Sequence, residues 1–447
     1  MPKRIHTELT FEEAIEASLL ENGAYIKGHS QDFEAKLGLF PSYIIHFLQT
    51  SQPTLWDKIV NIHKDNVEQK VIQRLLKELD NRGTLDVLRN GFTDYGVKFK
   101  MAYFRPESTL NPEAEILYAT NHLSVTRQLY YERNGKNSLD MVLSLNGLPV
   151  ATIELKNQFS GQNVSNAKKQ YVYDREPTEP IFQFKKRTLV HFAVDTDECY
   201  MTTKLAGKNT RYLPFNLGAN NGAGNPINKE GYRTAYLWER VWAKNSFMDI
   251  IGKFLHLNAE TFQLNGVQKT KETLIFPRYH QMDVVRKLTT DAKHNGAGHN
   301  YLIQHSAGSG KSNSIAWLSY RLSSLHNANN ERVFDSVLVI TDRKVLDSQL
   351  QSTIYQFEHK QGVVQKIEKN SQQLADAITV GSNIIITTLQ KFPFILEKIG
   401  ELPARKYAVI IDEAHSSQGG EATKKMKEVL SAKSLEEAAL EELDSGL

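Results

Sequence analysis

The chain has 447 residues, 40% of them hydrophobic and 23% charged, with a formal net charge of +3. This length exceeds what one ordinary core accommodates, so we expect two or three globular domains, and the small charge neither requires nor excludes nucleic acid. The single cysteine, Cys199, excludes an internal disulfide, and no apolar run is long enough to span a membrane, so we expect a cytoplasmic protein without a membrane partner.

Helical patterns come first along the chain and extended patterns follow. The residues FEEAIEASLLEN at 11–22 carry apolar side chains at helical spacing and end at Gly23, which predicts a helix. Extended segments then predict a strand-rich region, and the main ones are VKFKMAYF, HLSVTRQLYY, LDMVLSL, LPVATIEL, LVHFAV and CYMTT. We interpret residues 1–260 as one domain and residues 261–275 as a linker.

A different pattern begins at residue 276 and predicts a second domain over 276–447. Four apolar segments alternate with helical stretches: NYLIQH, SVLVITD, NIIITTL and YAVIID. Such alternation is typical of a parallel sheet with crossover helices. The final residues SLEEAALEELDSGL predict a short amphipathic helix with a capping box.

The stretch HSAGSGKSNSIAWL, at 305–318, follows the predicted strand NYLIQ and opens a helix. Glycines in such a loop let backbone N–H groups approach phosphate oxygens, the lysine reaches the outer phosphates, and the following serine binds Mg²⁺. His305 stands where the full phosphate-loop pattern has its first glycine. The alternative is a glycine-rich turn without a ligand. The residues assigned to nucleotide binding here are Gly308, Ser309, Gly310, Lys311 and Ser312.

The stretch YAVIIDEAHSSQ, which starts at Tyr407, places two acidic residues after an apolar strand. Asp412 is placed to hold Mg²⁺ through water, and Glu413 to polarise an attacking water. The alternative is an ordinary acidic helix start. This alternative is weakened by the phosphate-loop pattern in the same α/β domain.

These motifs resemble those of superfamily 2 helicases and translocases. Three segments, FPRYHQ, TDRKVLDSQ and DEAHSSQ, resemble more specifically those of the R (restriction) subunit of type I restriction enzymes. The resemblance implies that Gln281 reads adenine, and that the segments at 339–349 and 385–392 contact the nucleic-acid backbone. It also implies ATP and Mg²⁺ as cofactors. Double-stranded DNA and the modification (methyltransferase) and specificity subunits are the implied partners.

The same family carries an amino-terminal nuclease of the PD-(D/E)xK class, and the residues around 140–156 fit it. Glu154 and Lys156 lie two apart on a predicted strand, so their side chains share a face. Asp140 precedes them across a predicted hairpin turn. Two carboxylates close together can hold Mg²⁺, and the lysine supplies a cation to the developing phosphate charge. The alternative is a strand end that simply reaches solvent.

The turn Asn146-Gly147 decides whether the two carboxylates meet. A two-residue loop pairs Leu145 with Leu148 and sets Asp140 opposite Ile153. A three-residue loop sets Asp140 opposite Glu154 instead. The metal site therefore needs the longer loop or a β-bulge.

The resemblance implies two further nuclease residues. A glutamate of the first helix should reach the metal, and the candidates are Glu12, Glu13, Glu16 and Glu21. We choose Glu16 because it lies near the middle of the helix. A glutamine after the lysine should assist, and the stretch AKKQYVYDR offers Gln170. Tyr173 does not match the family's spacing and is not assigned.

The expected fold is α/β, with a PD-(D/E)xK domain of mixed sheet and flanking helices, then a RecA-like phosphate-loop domain. The expected function is that of a restriction R subunit, in which ATP-dependent translocation is coupled to Mg²⁺-dependent cleavage of unmodified duplex DNA. DEAH lies at 412–415, near the last residue, so we expect an amino-terminal fragment or truncated product without a second motor lobe. Alone it should bind ATP weakly, hydrolyse it near background and not translocate. The alternative is a non-catalytic truncated subunit that binds ATP or DNA without turnover.

Overall fold

The structure is a computed structural model. It describes residues 8–106, 110–158, 161–220, 222–264, 266–306, 308–341, 350, 353–354, 363–367, 371–388 and 405–413. The chain divides into two compact units, of which the first is Met1–Pro106 with Asn111–Tyr279 and the second is Glu107–Leu110 with His280–Leu447. The domain boundaries expected from the sequence, at 260 and 276, stay a prediction.

Helices of the first unit cover the sheet that carries the candidate nuclease residues. Several begin at a proline, whose missing N–H costs nothing at the first helical position. Their bounds are α1 Glu8–Glu21, α2 Pro41–Ser51, α3 Pro53–His63, α4 Val67–Arg82, α5 Thr84–Asn90, α6 Pro112–Ala119, α7 Val164–Tyr173 and α8 Lys244–Asp249. The α1 helix confirms the one predicted from 11–22, and it buries Phe11, Ile15 and Leu19.

A seven-stranded mixed sheet forms the centre of this unit, in the order β1-β4-β5-β6-β7-β8-β9. The pairs β1·β4 and β6·β7 are parallel, and the others are antiparallel. The separate strands β2 and β3 form a small antiparallel pair. The bounds are β1 Ile26–Lys27, β2 Phe92–Asp94, β3 Val97–Phe99, β4 Leu123–Tyr130, β5 Ser138–Leu145, β6 Leu148–Leu155, β7 Val190–Val194, β8 Cys199–Thr202 and β9 Leu213–Pro214.

The strands β5 and β6 form a hairpin whose residues are almost all buried. The turn is Asn146-Gly147, and both residues have positive φ angles, 51° and 86°, which suits a two-residue type I′ turn. The Asn146 side chain accepts a hydrogen bond from the His122 N–H at 2.8 Å and donates one to the Met101 carbonyl at 2.9 Å. These bonds fix the turn inside the unit.

Most of the segment 261–275, interpreted above as a linker, lies in two β-strands. The strands β10 (His256–Leu264) and β11 (Val267–Ile275) pair antiparallel over nine positions each. Lys185 forms an ion pair with Glu272 of this hairpin at 2.6 Å. Whether the hairpin connects functional domains stays a prediction.

The second unit has a four-stranded parallel sheet in the order β13-β14-β12-β15. Its strands are β12 Ser336–Thr341, β13 Val364–Lys366, β14 Ile384–Thr388 and β15 Tyr407–Ile411. Its helices are α9 Tyr279–Asn295, α10 Lys311–Ser323 and α11 Ser371–Val380. This unit combines helices with a parallel sheet, so the predicted fold class, two α/β units with a mixed and then a parallel sheet, is confirmed.

One predicted strand is wrong. The residues of NYLIQH that follow Asn300 have no regular structure, and Leu302 is 83% exposed. A strand needs a hydrogen-bonded neighbour, and no described strand pairs with this segment. The apolar composition of this segment predicted a strand, but the segment has no partner strand among the described residues.

The carboxy-terminal helix predicted from SLEEAALEELDSGL lies outside the described residues. Among the helices that the structure describes, none is both long and apolar enough to cross a lipid bilayer. The cytoplasmic location stays a prediction.

Candidate functional site

A β-bulge brings the two predicted metal carboxylates to opposite positions. Leu145 pairs with Leu148 across the two-residue turn, but the register shifts between Leu143 and Ser144, so that Met141 pairs with Ile153. Continuing this register by one residue sets Asp140 opposite Glu154. Opposite residues of an antiparallel pair share a sheet face. The structure thus has the short loop and also the bulge, one of the two arrangements that the site requires.

Asp140 lies between the backbone of β6 and the ammonium group of Lys156. Its Oδ2 accepts a hydrogen bond from the Leu155 N–H at 2.8 Å and lies 3.7 Å from Lys156 Nζ. The side chain is largely buried. These contacts fix one of its two oxygens.

Glu154 is fully buried. Its Oε1 accepts a hydrogen bond from Arg175 Nε at 2.6 Å, whereas its Oε2 is buried without a hydrogen-bond partner among the described residues. Burial and then the charge of Asp140 raise the pKa of the Glu154 carboxyl well above its usual value. An unsatisfied carboxylate oxygen beside a second carboxylate is a place where a cation would be stabilised.

Lys156 follows directly after the last residue of β6 and is largely buried. Its Nζ donates to Glu8 Oε1 at 2.6 Å and to the Leu155 carbonyl at 2.8 Å. Burial alone would lower the pKa of this ammonium group, but Asp140 and Glu8 outweigh it and the pKa is raised. The Lys156 ammonium group is therefore a cation held in place next to the Asp140 carboxylate. Glu8 was not among the sequence candidates, because a surface helix start gave no signal for it.

The first helix places Glu12, rather than Glu16, under the influence of Asp140. Burial and then Asp140 raise the pKa of Glu12 to about 7, although it accepts hydrogen bonds from Arg127 at 3.2 Å and Gln128 at 2.9 Å. Glu16, our choice from the sequence, accepts from Arg127 at 3.2 Å and lies 3.5 Å from Lys27. Arg127 thus pairs with both glutamates, and the assignment of Glu16 to the site stays a prediction.

The helix α7 and the residues just after it contribute one expected residue, Gln170, and two unexpected ones, Tyr171 and Arg175. Gln170 is half-buried on this helix, and its role stays a prediction. Its neighbour Tyr171 is buried, with its hydroxyl 2.8 Å from Thr152 Oγ1. Tyr173, left unassigned, is 65% exposed. Arg175, just beyond the helix, was missed because a single arginine after a helix carries no sequence signal for a buried ion pair.

These side chains fit a magnesium ion by their chemistry. Mg²⁺ prefers oxygen ligands and is commonly held by one or two carboxylates, with water and substrate phosphate completing its shell. Asp140 and Glu154 offer such a pair, and Glu154 Oε2 is the buried oxygen that lacks a partner. The part of the chain that the structure describes has no group of three or more histidine, cysteine or acidic side chains arranged for a metal. The fit therefore rests on the carboxylate pair.

In the second unit, the predicted phosphate loop ends where α10 begins. Gly310 has a φ of 84° and precedes Lys311, the first residue of the helix. Gln281 Nε2 donates to the carbonyls of Ser309 at 3.2 Å and Gly310 at 2.9 Å. A side chain on Gly310 would meet that amide at 2.3 Å. Glycine is therefore required both for the turn and for the approach of Gln281.

Lys311 and Glu413 form an ion pair, with Nζ and Oε1 2.5 Å apart. The hydrogen bond that Lys311 donates to Glu413 is the largest of the causes that raise the pKa of the lysine. Asp412 stands at the end of β15, where its N–H donates to the Ile340 carbonyl at 2.9 Å. Burial and then Glu413 raise the pKa of Asp412. The structure thus brings the lysine of the loop and the acidic pair together at one end of the sheet.

The remaining residues predicted to bind nucleotide lie in or near the same loop. Ser312 is the second residue of α10 and is half-buried, and Gly308 has a positive φ of 74°. Gln281 supports the loop through its amide nitrogen, and its reading of adenine stays a prediction. Two segments, 339–349 and 385–392, were expected to contact nucleic acid, and of these residues 342–349 and 389–392 lie outside the described residues.

Comparison with known proteins agrees with this geometry. Residues 44–210 match the family described as type I restriction enzyme R protein N terminus (HSDR_N), and residues 280–435 match the family described as SWI2/SNF2 ATPase. The first match includes the carboxylate pair and Lys156, and the second includes the phosphate loop and DEAH. Together the two matches support similarity to the amino-terminal part of a type I restriction enzyme R subunit.

Curated relatives carry corresponding names. One relative is the type I restriction enzyme SsaAORF53P endonuclease subunit of Staphylococcus saprophyticus, to which the chain is 23% identical over 382 residues. The aligned region covers 80% of this chain and 36% of that relative. The chain is 23% identical over 384 residues to the type I restriction enzyme SauCOLORF180P endonuclease subunit of Staphylococcus aureus, covering 82% and 37%. The chain thus spans little more than a third of these R subunits.

Proposed function

We propose that this chain supplies the nuclease site and one wall of the ATP site of a restriction R subunit. In the assembled enzyme, ATP-dependent translocation would be coupled to Mg²⁺-dependent cleavage of unmodified double-stranded DNA. The observation that carries the proposal is the bulged β5–β6 register, which sets Asp140 opposite Glu154 beside the Lys156 ammonium group. This arrangement matches what phosphodiester hydrolysis requires, namely paired oxygen ligands and a nearby cation.

In the nuclease site, Asp140 and Glu154 would hold Mg²⁺, which supplies an activated water and stabilises charge on the phosphate. Lys156, fixed by Glu8 and the Leu155 carbonyl, points a cation at the place where phosphate charge develops. Burial and then Asp140 raise the pKa of Glu12 to about 7, so both of its protonation states are populated near neutral pH. It can therefore accept or release a proton at that edge of the site, and we propose it in place of Glu16.

In the ATP site, phosphate would replace Glu413 as the partner of Lys311. The Lys311–Glu413 pair is partly exposed, so a more highly charged triphosphate can compete for the lysine. Release of Glu413 then frees its carboxylate to orient an attacking water, while Ser312 and Asp412 would hold Mg²⁺. Gln281 keeps the loop backbone in place through its two hydrogen bonds.

The proposed partners follow from the family. Duplex DNA is the substrate, and sequence recognition would reside in the specificity subunit, with modification by the methyltransferase subunit. This chain then needs to contact only phosphates, which carry no sequence information.

The experiment is cleavage of unmodified supercoiled plasmid by the enzyme reconstituted with its modification and specificity subunits, with ATP and Mg²⁺. Cleavage that is lost in Asp140→Asn, while ATP hydrolysis persists, supports the proposal. Equal cleavage by Asp140→Asn and wild type would place the nuclease elsewhere. Binding of ATP or DNA without any turnover would favour the non-catalytic subunit instead.

A further inference from the structure

Arg175 is a buried arginine whose whole guanidinium group is engaged. Nε donates to Glu154 Oε1 at 2.6 Å, Nη2 to the Ser138 carbonyl at 2.8 Å and Nη1 to the Tyr131 hydroxyl at 3.3 Å. The guanidinium carbon also lies 5.3 Å from the centre of the Tyr131 ring. Contacts in three directions leave the guanidinium plane no freedom to rotate.

This rigid group determines which oxygen of Glu154 is available. Oε1 is bound by Arg175, and Oε2 is buried with no hydrogen-bond partner among the described residues. A charge-assisted hydrogen bond from a fixed donor to one carboxylate oxygen favours the orientation that turns the other oxygen away from that donor. Its second oxygen is therefore held on the side away from the Arg175 Nε donor, on the strand position opposite Asp140.

A purely structural arginine would show a different pattern. Arg187 is equally buried in the same unit, and it bonds the Leu37 carbonyl at 2.7 Å and Asp80 at 3.1 Å. Its carboxylate partner is largely exposed, so that pair ties segments together without holding a buried oxygen in place. Arg175 alone of these two acts on a predicted metal ligand.

We propose that Arg175 is the positioning residue of the nuclease site, which holds Glu154 by Oε1 so that Oε2 serves as the metal ligand. The inference rests on the proposed nuclease function. Residues that hydrogen-bond a metal-binding side chain commonly contribute 10- to 100-fold to metal affinity. Arg175 fulfils this role from a loop after α7, outside both strands that carry the carboxylates.

The test measures Mn²⁺ binding by the full chain without nucleotide, from the electron paramagnetic resonance signal of free Mn²⁺. Arg175→Gln should weaken binding about 10- to 100-fold, because the carboxylate loses its fixed orientation. Arg175→Lys keeps a cation but not the planar fork, and should recover part of the affinity. Arg187→Lys is the matched control, which should lower the melting temperature while leaving Mn²⁺ affinity unchanged.

Asp140→Asn separates the failure of this inference from the failure of the nuclease assignment. Loss of Mn²⁺ binding in Asp140→Asn, with affinity within about twofold of wild type in both Arg175 variants, overturns the positioning role alone. Undiminished binding in Asp140→Asn overturns the nuclease site itself. Where Arg175→Gln does not fold, Arg175→Lys decides, and wild-type affinity in that folded variant contradicts the proposal.

Discussion

The two candidate sites of this chain are built in opposite ways. The nuclease site gathers residues from α1, two strands and the loop after α7, and its central carboxylate is fully buried. The ATP site is mostly one continuous stretch, from Gly308 to Ser312, joined by residues at one strand end. A site made of consecutive residues depends on local backbone geometry, whereas a dispersed one depends on sheet register and packing.

Their ion pairs differ in the same way. Glu154 and Arg175 are both nearly inaccessible to water, whereas the side chains of Lys311 and Glu413 are 35% and 32% exposed. Charges interact more strongly where water is excluded, and removing one partner there leaves an uncompensated charge. Substitutions in the first site should therefore affect both stability and chemistry, and those in the second mainly ligand binding.

The largest effect should come from Lys156→Ala in the reconstituted enzyme. Loss of a preorganised cation at the reacting phosphate should lower the cleavage rate by about 10²- to 10³-fold. ATP hydrolysis should persist, because Lys156 and the phosphate loop lie in different units. Parallel cleavage and ATPase assays check this, and a matching loss of ATPase activity would show that the two sites are not separable.

Substitution at the hairpin turn should disrupt the nuclease site although none of its carboxylates or its lysine is replaced. A Cβ on Gly147 would lie 2.7 Å from both the Ile44 nitrogen and the Phe40 carbonyl oxygen. Gly147→Ala should therefore lower the free energy of unfolding by about 2–4 kcal/mol, from clash and left-handed strain together.

Gly96 offers a matched control for that turn, since it also has positive φ, but a Cβ added to it would have no neighbouring atom within 4 Å. Gly96→Ala should cost only about 1 kcal/mol. Urea denaturation of the two variants measures the difference. Equal costs would mean that the hairpin turn is not tightly enclosed.

More of the ATP site than of the nuclease site could be predicted from the sequence, and the reason is physical. Lys311 and Asp412 could be found from adjacent residues, whose local pattern carries the chemistry. The meeting of Asp140 and Glu154 was left open between a longer loop and a bulge, because a bulge is decided by cross-strand packing. Arg175 could not be anticipated, since its partner lies across the fold.

Other parts of the fold show the same limit. Apolar composition predicted a strand at NYLIQH, but strand formation depends on a neighbour that composition does not specify. The choice of Glu16 followed position along α1, whereas the influence of Asp140 on the pKa of Glu12 depends on the packing of that helix against the sheet. Periodicity alone found α1 and the buried strands β5 and β6.

Lys311→Ala should affect only the second site. Loss of a charge-assisted contact to phosphate should weaken ATP binding by about 10- to 100-fold, which corresponds to about 1.5–3 kcal/mol. Glu413→Gln is the contrasting variant, because it removes the competing partner of the lysine and should preserve ATP binding. Calorimetric titration measures both, and wild-type affinity in Lys311→Ala would argue that 305–312 is not a phosphate loop.

The smallest effect should appear in the pH dependence of stability. The pKa of Glu12 is raised from 4.5 to about 7 in the folded chain. Between these values the unfolded state loses the proton while the folded state keeps it, so the contribution of Glu12 to stability falls as pH rises. Glu12→Gln should therefore be more stable relative to wild type at pH 8 than at pH 5, by about 1–3 kcal/mol.

Glu21, exposed at the end of α1, provides the control for that pH effect. Glu21→Gln makes the same chemical change at an exposed position of the same helix and serves as the reference for Glu12→Gln at each pH. Denaturant midpoints at pH 5 and pH 8 measure the difference, and a pH-independent effect of Glu12→Gln would contradict the burial of that carboxyl beside Asp140.

The most direct test of the account is a crossed binding measurement on the full chain. Mn²⁺ affinity without nucleotide and ATP affinity would be measured for wild type, Asp140→Asn and Lys311→Ala. The account predicts that Asp140→Asn loses Mn²⁺ binding and keeps ATP binding, and that Lys311→Ala does the reverse. A variant that loses both, or neither, would contradict the claim that the chain holds two independent sites.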